Sequence, residues 1–266
     1  MSTIELDLVD VSIALVPVAI LAIVLFFLRL RLSRSLGIAT IRLVVQLSLV
    51  GLVLKFVFTQ SNPWLIGLMS LVMLSVASYE IMARQKYRLR GAGSIRVGSI
   101  TLMVSSFALT IFGLTLVIHP DPWYLPQYAI PLFGMVLSNT MTGISVGMDR
   151  LTTSLFQNRQ IVEQRLMLGE TQWESVADYI RDSLRGGMIP VINSMATAGI
   201  VSLPGMMTGQ ILAGAAPTEA VKYQIMIWVL IAAGTGFGMV TAIYLTASSL
   251  FDERSRPHFE RFRTKN

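Results

Sequence analysis

VSIALVPVAILAIVLFFL, residues 11 to 28, contains no charged side chain. At about 1.5 Å of rise per helical residue, the run crosses most of the roughly 30 Å hydrocarbon of a bilayer. It reads as a membrane span with a kink at Pro17. Met1 to Asp10 carries Glu5, Asp7 and Asp10 where a secretion signal carries lysine or arginine, so the run is expected to persist as the first span. The whole chain shares its character. Of 266 residues, 53% are hydrophobic and 14% charged, with mean hydropathy +0.65, against about 25% charged in an ordinary soluble domain.

Working outward, six more apolar stretches follow, at about 36–58, 63–83, 97–118, 128–148, 188–214 and 223–250. The second is interrupted by Arg42, Gln46 and Lys55, and the third carries Glu80 near its end. HPDPWYLP (His119 to Pro126), with its three prolines, separates the fourth from the fifth. The expectation is an all-α, polytopic membrane helix bundle: seven transmembrane helices in a single domain, 1–266, with a hydrophilic segment at 149–187 and a basic tail at 251–266.

The charges orient this layout. Of 21 Lys and Arg residues, 18 fall in four alternate segments, 29–34, 84–96, 150–185 and 254–265. Basic residues concentrate in short cytoplasmic loops, which places the N-terminus outside and the C-terminus inside, in the inner (plasma) membrane. The net charge of +6 is thus an orientation signal, and no nucleic-acid partner is implied.

Cysteine is absent, and His119 and His258 are the only histidines. Disulfides, thiolate metal sites, paired-histidine zinc motifs and cysteine nucleophiles are excluded, and Ser-His-Asp chemistry is disfavoured. No catalytic residue is assigned, and the metal ligands, if there are any, are unknown.

The hydrophilic segment 149–187 reads as a cytoplasmic helix-turn-helix. Leu151, Leu155, Ile161, Val162, Leu166 and Leu168 give the first helix an apolar face, and Gly169 stands where a helix C-terminal glycine would. Thr171 with Glu174 fits a capping box. Trp173, Val176, Ala177, Ile180 and Leu184 then share one face of the second helix, opposite Glu174, Asp178, Arg181, Asp182 and Arg185. Such a helix suits either a membrane surface or a cytosolic partner.

EQRLMLG (163 to 169) has the Glu-to-Gly spacing of the "EAA" loop by which ABC-transporter permeases engage their ATPase, and LGETQWESVADY (168 to 179) resembles the helix-turn-helix around it. Gln164 and Arg165 replace the two alanines of that pattern, and its proline comes late, at Pro190. RLVVQLSLVGLVLKFVF (42 to 58), IPLFGMVLSNTMTG (130 to 143), IRDSLRGGMIP (180 to 190), GIVSLPGMMTGQILAG (199 to 214) and KYQIMI (222 to 227) together resemble the FetB family, permease subunits of an iron-export ABC transporter, and are similar also to plant aluminium-tolerance permeases.

The resemblance implies a non-enzymatic permease subunit that exports metal ion, iron first, as a homodimer with two copies of a separate cytosolic ATPase. This chain binds no cofactor on that reading, and ATP and Mg belong to the partner. The residues agree that this chain is not the ATPase: none of Lys55, Lys86, Lys222 and Lys265 follows the glycine that a Walker A motif requires. The resemblance implies that Glu163, Leu166, Gly169, Thr171, Trp173, Asp178 and Arg181 form the ATPase-coupling surface.

A candidate translocation path combines Asn139 in the fifth span with Asn193, Ser194, Pro204, Gly205, Met206, Met207 and Gln210 in the sixth. Their amides and hydroxyls are costly in lipid unless paired, so they either line a path or join helices. Pro204-Gly205 either breaks the sixth span, exposing backbone groups, or merely kinks it. The thioethers suit soft metals better than iron, and packing explains them equally well. Arg42 and Glu80, at similar depth, are expected to form an intramembrane ion pair. Gly234 and Gly238 form a GxxxG pattern, suited to a close helix contact or a dimer seam. The scarcity of membrane carboxylates leaves chelated metal or a small solute open as substrate, and an ion-coupled secondary transporter remains the alternative.

Overall fold

Long uninterrupted apolar sequence in a medium without water leaves the helix as the way to satisfy every backbone group, and the chain uses it throughout. The computed structural model describes residues 7–30, 32–60, 62–89, 93–252 and 255–264. Glu5, Arg31, Arg90, Arg254 and Lys265, which entered the charge pattern, lie outside the described residues. The described residues form two compact units, the first comprising 1–62 with 212–214 and the second the rest.

In the first unit, α1 (Leu8–Ala14) and α2 (Val16–Phe27) are followed by α3 (Leu32–Gln60), which packs along α2. The helix restarts immediately before Pro17, which occupies the first turn of α2, where its missing amide costs nothing. α2 buries none of its residues, as a helix bathed in lipid need not.

The second unit holds α4 (Pro63–Arg84), α5 (Gly93–Leu102), α6 (Ala108–Phe112), α7 (Pro126–Gln157), α8 (Arg159–Met167), α9 (Gln172–Thr197), α10 (Gly205–Leu212) and α11 (Pro217–Leu250). α5 and α6 belong to one long rod, joined through a π-helical stretch, Met103–Phe107, and continued by a second, Gly113–Ile118. The Ser105 and Thr110 hydroxyls donate to the carbonyls of Thr101 and Ser106 four residues back, competing with the helix's own bonds where its winding changes.

α11 packs against α7, α9 and the α5 rod. Two apolar clusters fill the unit, one around Ile81, Leu102, Ile144 and Met148, the other around Leu155, Val162, Val176, Ile180 and Leu250. Glycines set the closest crossings. A Cβ on Gly187 of α9 would stand 2.8 Å from the carbonyl oxygen of Gly143 on α7 and strike Met239 of α11.

Among the described residues, six helices are long and apolar enough to cross a membrane: Val9–Phe27, Leu32–Gln60, Pro63–Arg84, Val97–Ile118, Pro126–Gln157 and Pro217–Leu250. The expected span at 188–214 is not one continuous helix: of the two outcomes open at Pro204-Gly205, the chain shows a break, over 198–204. α9 begins in the hydrophilic segment, passes Gly186, Gly187 and Pro190 without ending, and stops at Thr197, and α10 resumes only at Gly205. Gly187 serves a close crossing here and does not end a helix. The boundaries at 148 and 223 also move. α7 continues to Gln157 and α11 starts at Pro217, because hydropathy marks where lipid stops and caps mark where a helix stops. The first helix of the expected helix-turn-helix is accordingly shared between the end of α7 and α8.

Tyr87–Leu89 (β1) pairs antiparallel with Phe262–Thr264 (β2), a two-stranded ribbon that the apolar pattern did not announce. The Lys86 amide donates to Asp149 Oδ1 at 2.7 Å, and the Tyr87 ring stacks on Phe156. Phe259 packs with Leu166 and Tyr179 on the second cluster. Three of the four basic segments therefore meet at one end of this unit.

Candidate functional site

At that basic end, α8 and α9 pack against each other across a short turn. The turn between them is fixed by Gly169, whose φ of +96° a side chain would resist, and the Leu168, Gly169 and Glu170 amides close back onto the last carbonyls of α8. Thr171 starts α9 with a complete capping box. Its hydroxyl oxygen accepts the Glu174 amide at 3.3 Å, while Glu174 Oε2 accepts from the Thr171 amide and hydroxyl, each at 2.8 Å. Those donors, the amide above all, hold the Glu174 carboxyl below its ordinary range.

Asp178 ties the pair together. Its Oδ2 receives both terminal nitrogens of Arg165 on α8, at 3.1 and 3.2 Å, and its Oδ1 receives Arg181 at 3.2 Å. Arg165, which departs from the EAA pattern, is thus part of the hinge between the two helices. Leu166 points into the apolar cluster, Trp173 lies 5.7 Å from the Tyr244 ring, and Glu163 stands exposed on α8. At the turn, Met167 and Leu168 are 78% and 85% exposed. Two adjacent apolar side chains therefore project from the polar end of the molecule, beside an open cleft floored by Arg165, Glu170, Glu174 and Arg181.

The proposed path residues divide. Asn193 and Ser194 lie in the last turns of α9, and Pro204, Gly205, Met206, Met207 and Gln210 lie at the start of or within α10, so seven of the eight flank one helix break. Across the break, Gly199, at φ +82°, donates its amide to the Ser202 carbonyl at 2.8 Å, while Ile200 and Val201 project outward. Met207 is buried, and Gln210 Oε1 is buried without a hydrogen-bond partner. Asn139 stands apart on α7, its amide donating to the Met135 carbonyl of its own helix at 2.8 Å.

Arg42 lies in the first unit and Glu80 in the second, where Arg84, one turn on, approaches Glu80 to 3.7 Å. Gly234 and Gly238 face Thr140, Val136 and Ser105, so this GxxxG is a contact inside the second unit. Around it, Thr101, Ser106, Thr140 and Thr235 carry buried hydroxyl oxygens without hydrogen-bond partners. Sequence reading missed this hydroxyl seam. Its only trace was small residues spaced along α7 and α11.

A helical protein with several apolar spans, a helix pair at its basic end and a broken helix elsewhere is a multi-pass membrane protein. The chain belongs to the uncharacterised protein family UPF0014, which it matches over residues 8–251. It is 38% identical over 228 residues to the UPF0014 membrane protein slr1647 of Synechocystis, covering 86% of this chain and 87% of the relative. It is 31% identical over 250 residues to the probable iron export permease protein FetB of Escherichia coli, covering 92% of each. To the protein ALUMINUM SENSITIVE 3 of Arabidopsis thaliana it is 34% identical over 245 residues, covering 88% of this chain and 86% of the relative. No solved structure matches.

Proposed function

We propose that the chain is the membrane-spanning permease subunit of an ABC transporter in the inner membrane, working as a homodimer with two copies of a separate ATPase that binds ATP and Mg. The basic end faces the cytoplasm, and the α8–α9 pair is the coupling element. The exposed Met167–Leu168 turn carries this reading, because apolar side chains at the polar end of a membrane protein are stabilised by a protein partner that buries them. Glu163, Gly169, Thr171, Trp173, Asp178 and Arg181 shape the same surface, with Leu166 holding it to the bundle.

On this reading the exported substrate enters from the basic, cytoplasmic end and passes the break between α9 and α10 on its way out. Metal export, with iron as the first candidate, is supported by the name of the Escherichia coli relative. The test is co-purification with the cognate ATPase after mild solubilisation. The wild-type chain should retain the ATPase, and Met167→Ser with Leu168→Ser should lose it by about tenfold or more while its own yield and monodispersity persist, as expected when the centre of an interface is made polar. Equal retention by both would refute the assignment.

A further inference from the structure

Asn193 stands on a face of α9 that nothing among the described residues covers. Its side chain is exposed and makes no hydrogen bond among them. Ile189 and Pro190 one turn before it, and Ala196 and Thr197 one turn after, are exposed as well, so the whole face is open. It runs on into the break, where Ile200, Val201 and Leu203 are 86%, 79% and 63% exposed. The backbone there is open too. Thr197 takes the amides of Ile200 and Val201, while the carbonyl oxygens of Ala198, Gly199, Ile200 and Val201 accept no hydrogen bond among the described residues.

These groups lie at membrane depth. α7 and α9 run in opposite senses, since Gly143 meets Gly187 while Leu155 shares a cluster with Val176. Asp149 ends the uncharged stretch of α7 at the basic end. From there to Gly143 is about 9 Å of helix, and from Gly187 to Asn193 about 9 Å more. Asn193 is therefore about 18 Å in, near the middle of roughly 30 Å of hydrocarbon, and Thr197 about 24 Å in. Lipid answers neither a carboxamide nor an open carbonyl, and irregular backbone at this depth persists only against protein or water.

A second copy of the chain answers these groups by symmetry. Two copies inserted alike are related by a two-fold axis along the membrane normal, so a face near that axis meets itself at its own depth. Such a face must be its own complement. A carboxamide is, because it carries both donors and an acceptor. Charge would not be, and the stretch 186–218 carries none, whereas α3 presents Arg42. The small Ala196 lets the two backbones approach, and Ile189, Ile200 and Val201 exclude water around the contact. We propose that α9 beyond Gly187 and the break at 198–204 form the seam between two copies of this chain, with the Asn193 carboxamides hydrogen-bonded to each other across the axis. The proposal rests on the homodimer reading above and gives it a location.

Because the chain has no cysteine, one introduced cysteine can form a disulfide only with a second copy. The test is oxidation of the full chain in phosphatidylcholine liposomes with copper phenanthroline, read as covalent dimer on a gel. Ala196→Cys and Ile200→Cys should each give far more dimer than Phe237→Cys, a control on α11 that is 68% exposed. Adding Asn193→Leu to Ala196→Cys should lower the yield about fivefold, the effect of one lost interhelical hydrogen bond, and Asn193→Gln, which keeps the amide, should lower it less. The comparison of the three cysteine positions stands even if the leucine variant fails to assemble. No excess at 196 and 200 over 237, or a yield indifferent to Asn193→Leu, would overturn the proposal. Single-molecule photobleaching of a singly labelled chain separates the seam from the homodimer itself. Two steps without cross-linking at 196 or 200 would refute this seam and leave the homodimer reading intact, whereas one step would refute both. Co-purification with the ATPase tests the coupling assignment apart from either.

Discussion

Thr171 and Glu174 decide where α9 begins, and each does so through a reciprocal contact. Thr171→Ala removes the acceptor of the Glu174 amide and the hydroxyl donor to Oε2, leaving only the backbone amide donor, and a lost N-cap costs about 1 kcal/mol of local helix stability. Amide exchange at 172–175 should accelerate about fivefold, with the rest of α9 unchanged. The pH dependence has a definite sign. Because the folded Glu174 carboxyl titrates below its unfolded value, its contribution is fully present above the ordinary carboxylate range and is lost as pH falls through the depressed folded value. Protection factors of 172–175 should therefore hold steady from neutral pH down to that range and then fall in the wild type alone, with Glu174→Gln showing no such step. The capping box was legible because its four-residue spacing is a local rule. The Arg165–Asp178 bond was not, because the two residues lie thirteen positions apart and meet only once the turn at Gly169 is made.

At the scale of elements, the crossing of α7 and α9 is set by Gly143 and Gly187. Gly187→Ala presses a methyl against a backbone carbonyl that cannot rotate away, as well as against Met239. Overpacking of this kind costs roughly 1–3 kcal/mol. The variant should melt earlier in a thermal-shift assay, and Met239→Ala should fail to restore it, since the carbonyl contact remains; full rescue would mean that the thioether alone sets the spacing. The apolar lengths of α2, α3, α4 and α11 were plain from sequence because the bilayer imposes a minimum run. The course of α7 to Gln157 and of α9 past Gly186-Gly187 was not. Each is decided by who packs against whom: 187 marks the edge of the hydrophilic segment, and Gly187 becomes a contact surface once Gly143 is opposite.

Across the whole molecule, seven of the eight proposed path residues gather at one break, with Asn139 apart from it. If these groups carry substrate, the combined substitution of Asn139, Asn193 and Gln210 by Leu should abolish export from cells while membrane abundance stays at the wild-type level. Loss of abundance would instead show that they hold the bundle together. The charge pattern made the general layout readable, because basic residues avoid crossing a bilayer. The ribbon of 87–89 with 262–264 was invisible to it, since each strand is only three residues long, too short for a pattern to be read.

The unbroken course of α9 has a mechanical meaning. Its 26 residues make a rod of about 39 Å, gripped against α7 and α11 at Gly187. From that fulcrum one arm of about 22 Å reaches Gln172 beside the exposed turn, and the other, about 15 Å, reaches Thr197 at the lip of the break. The longer arm is itself packed on the bundle through Val176 and Ile180, so α9 links the exposed turn to the lip of the break as one rod seated along its length.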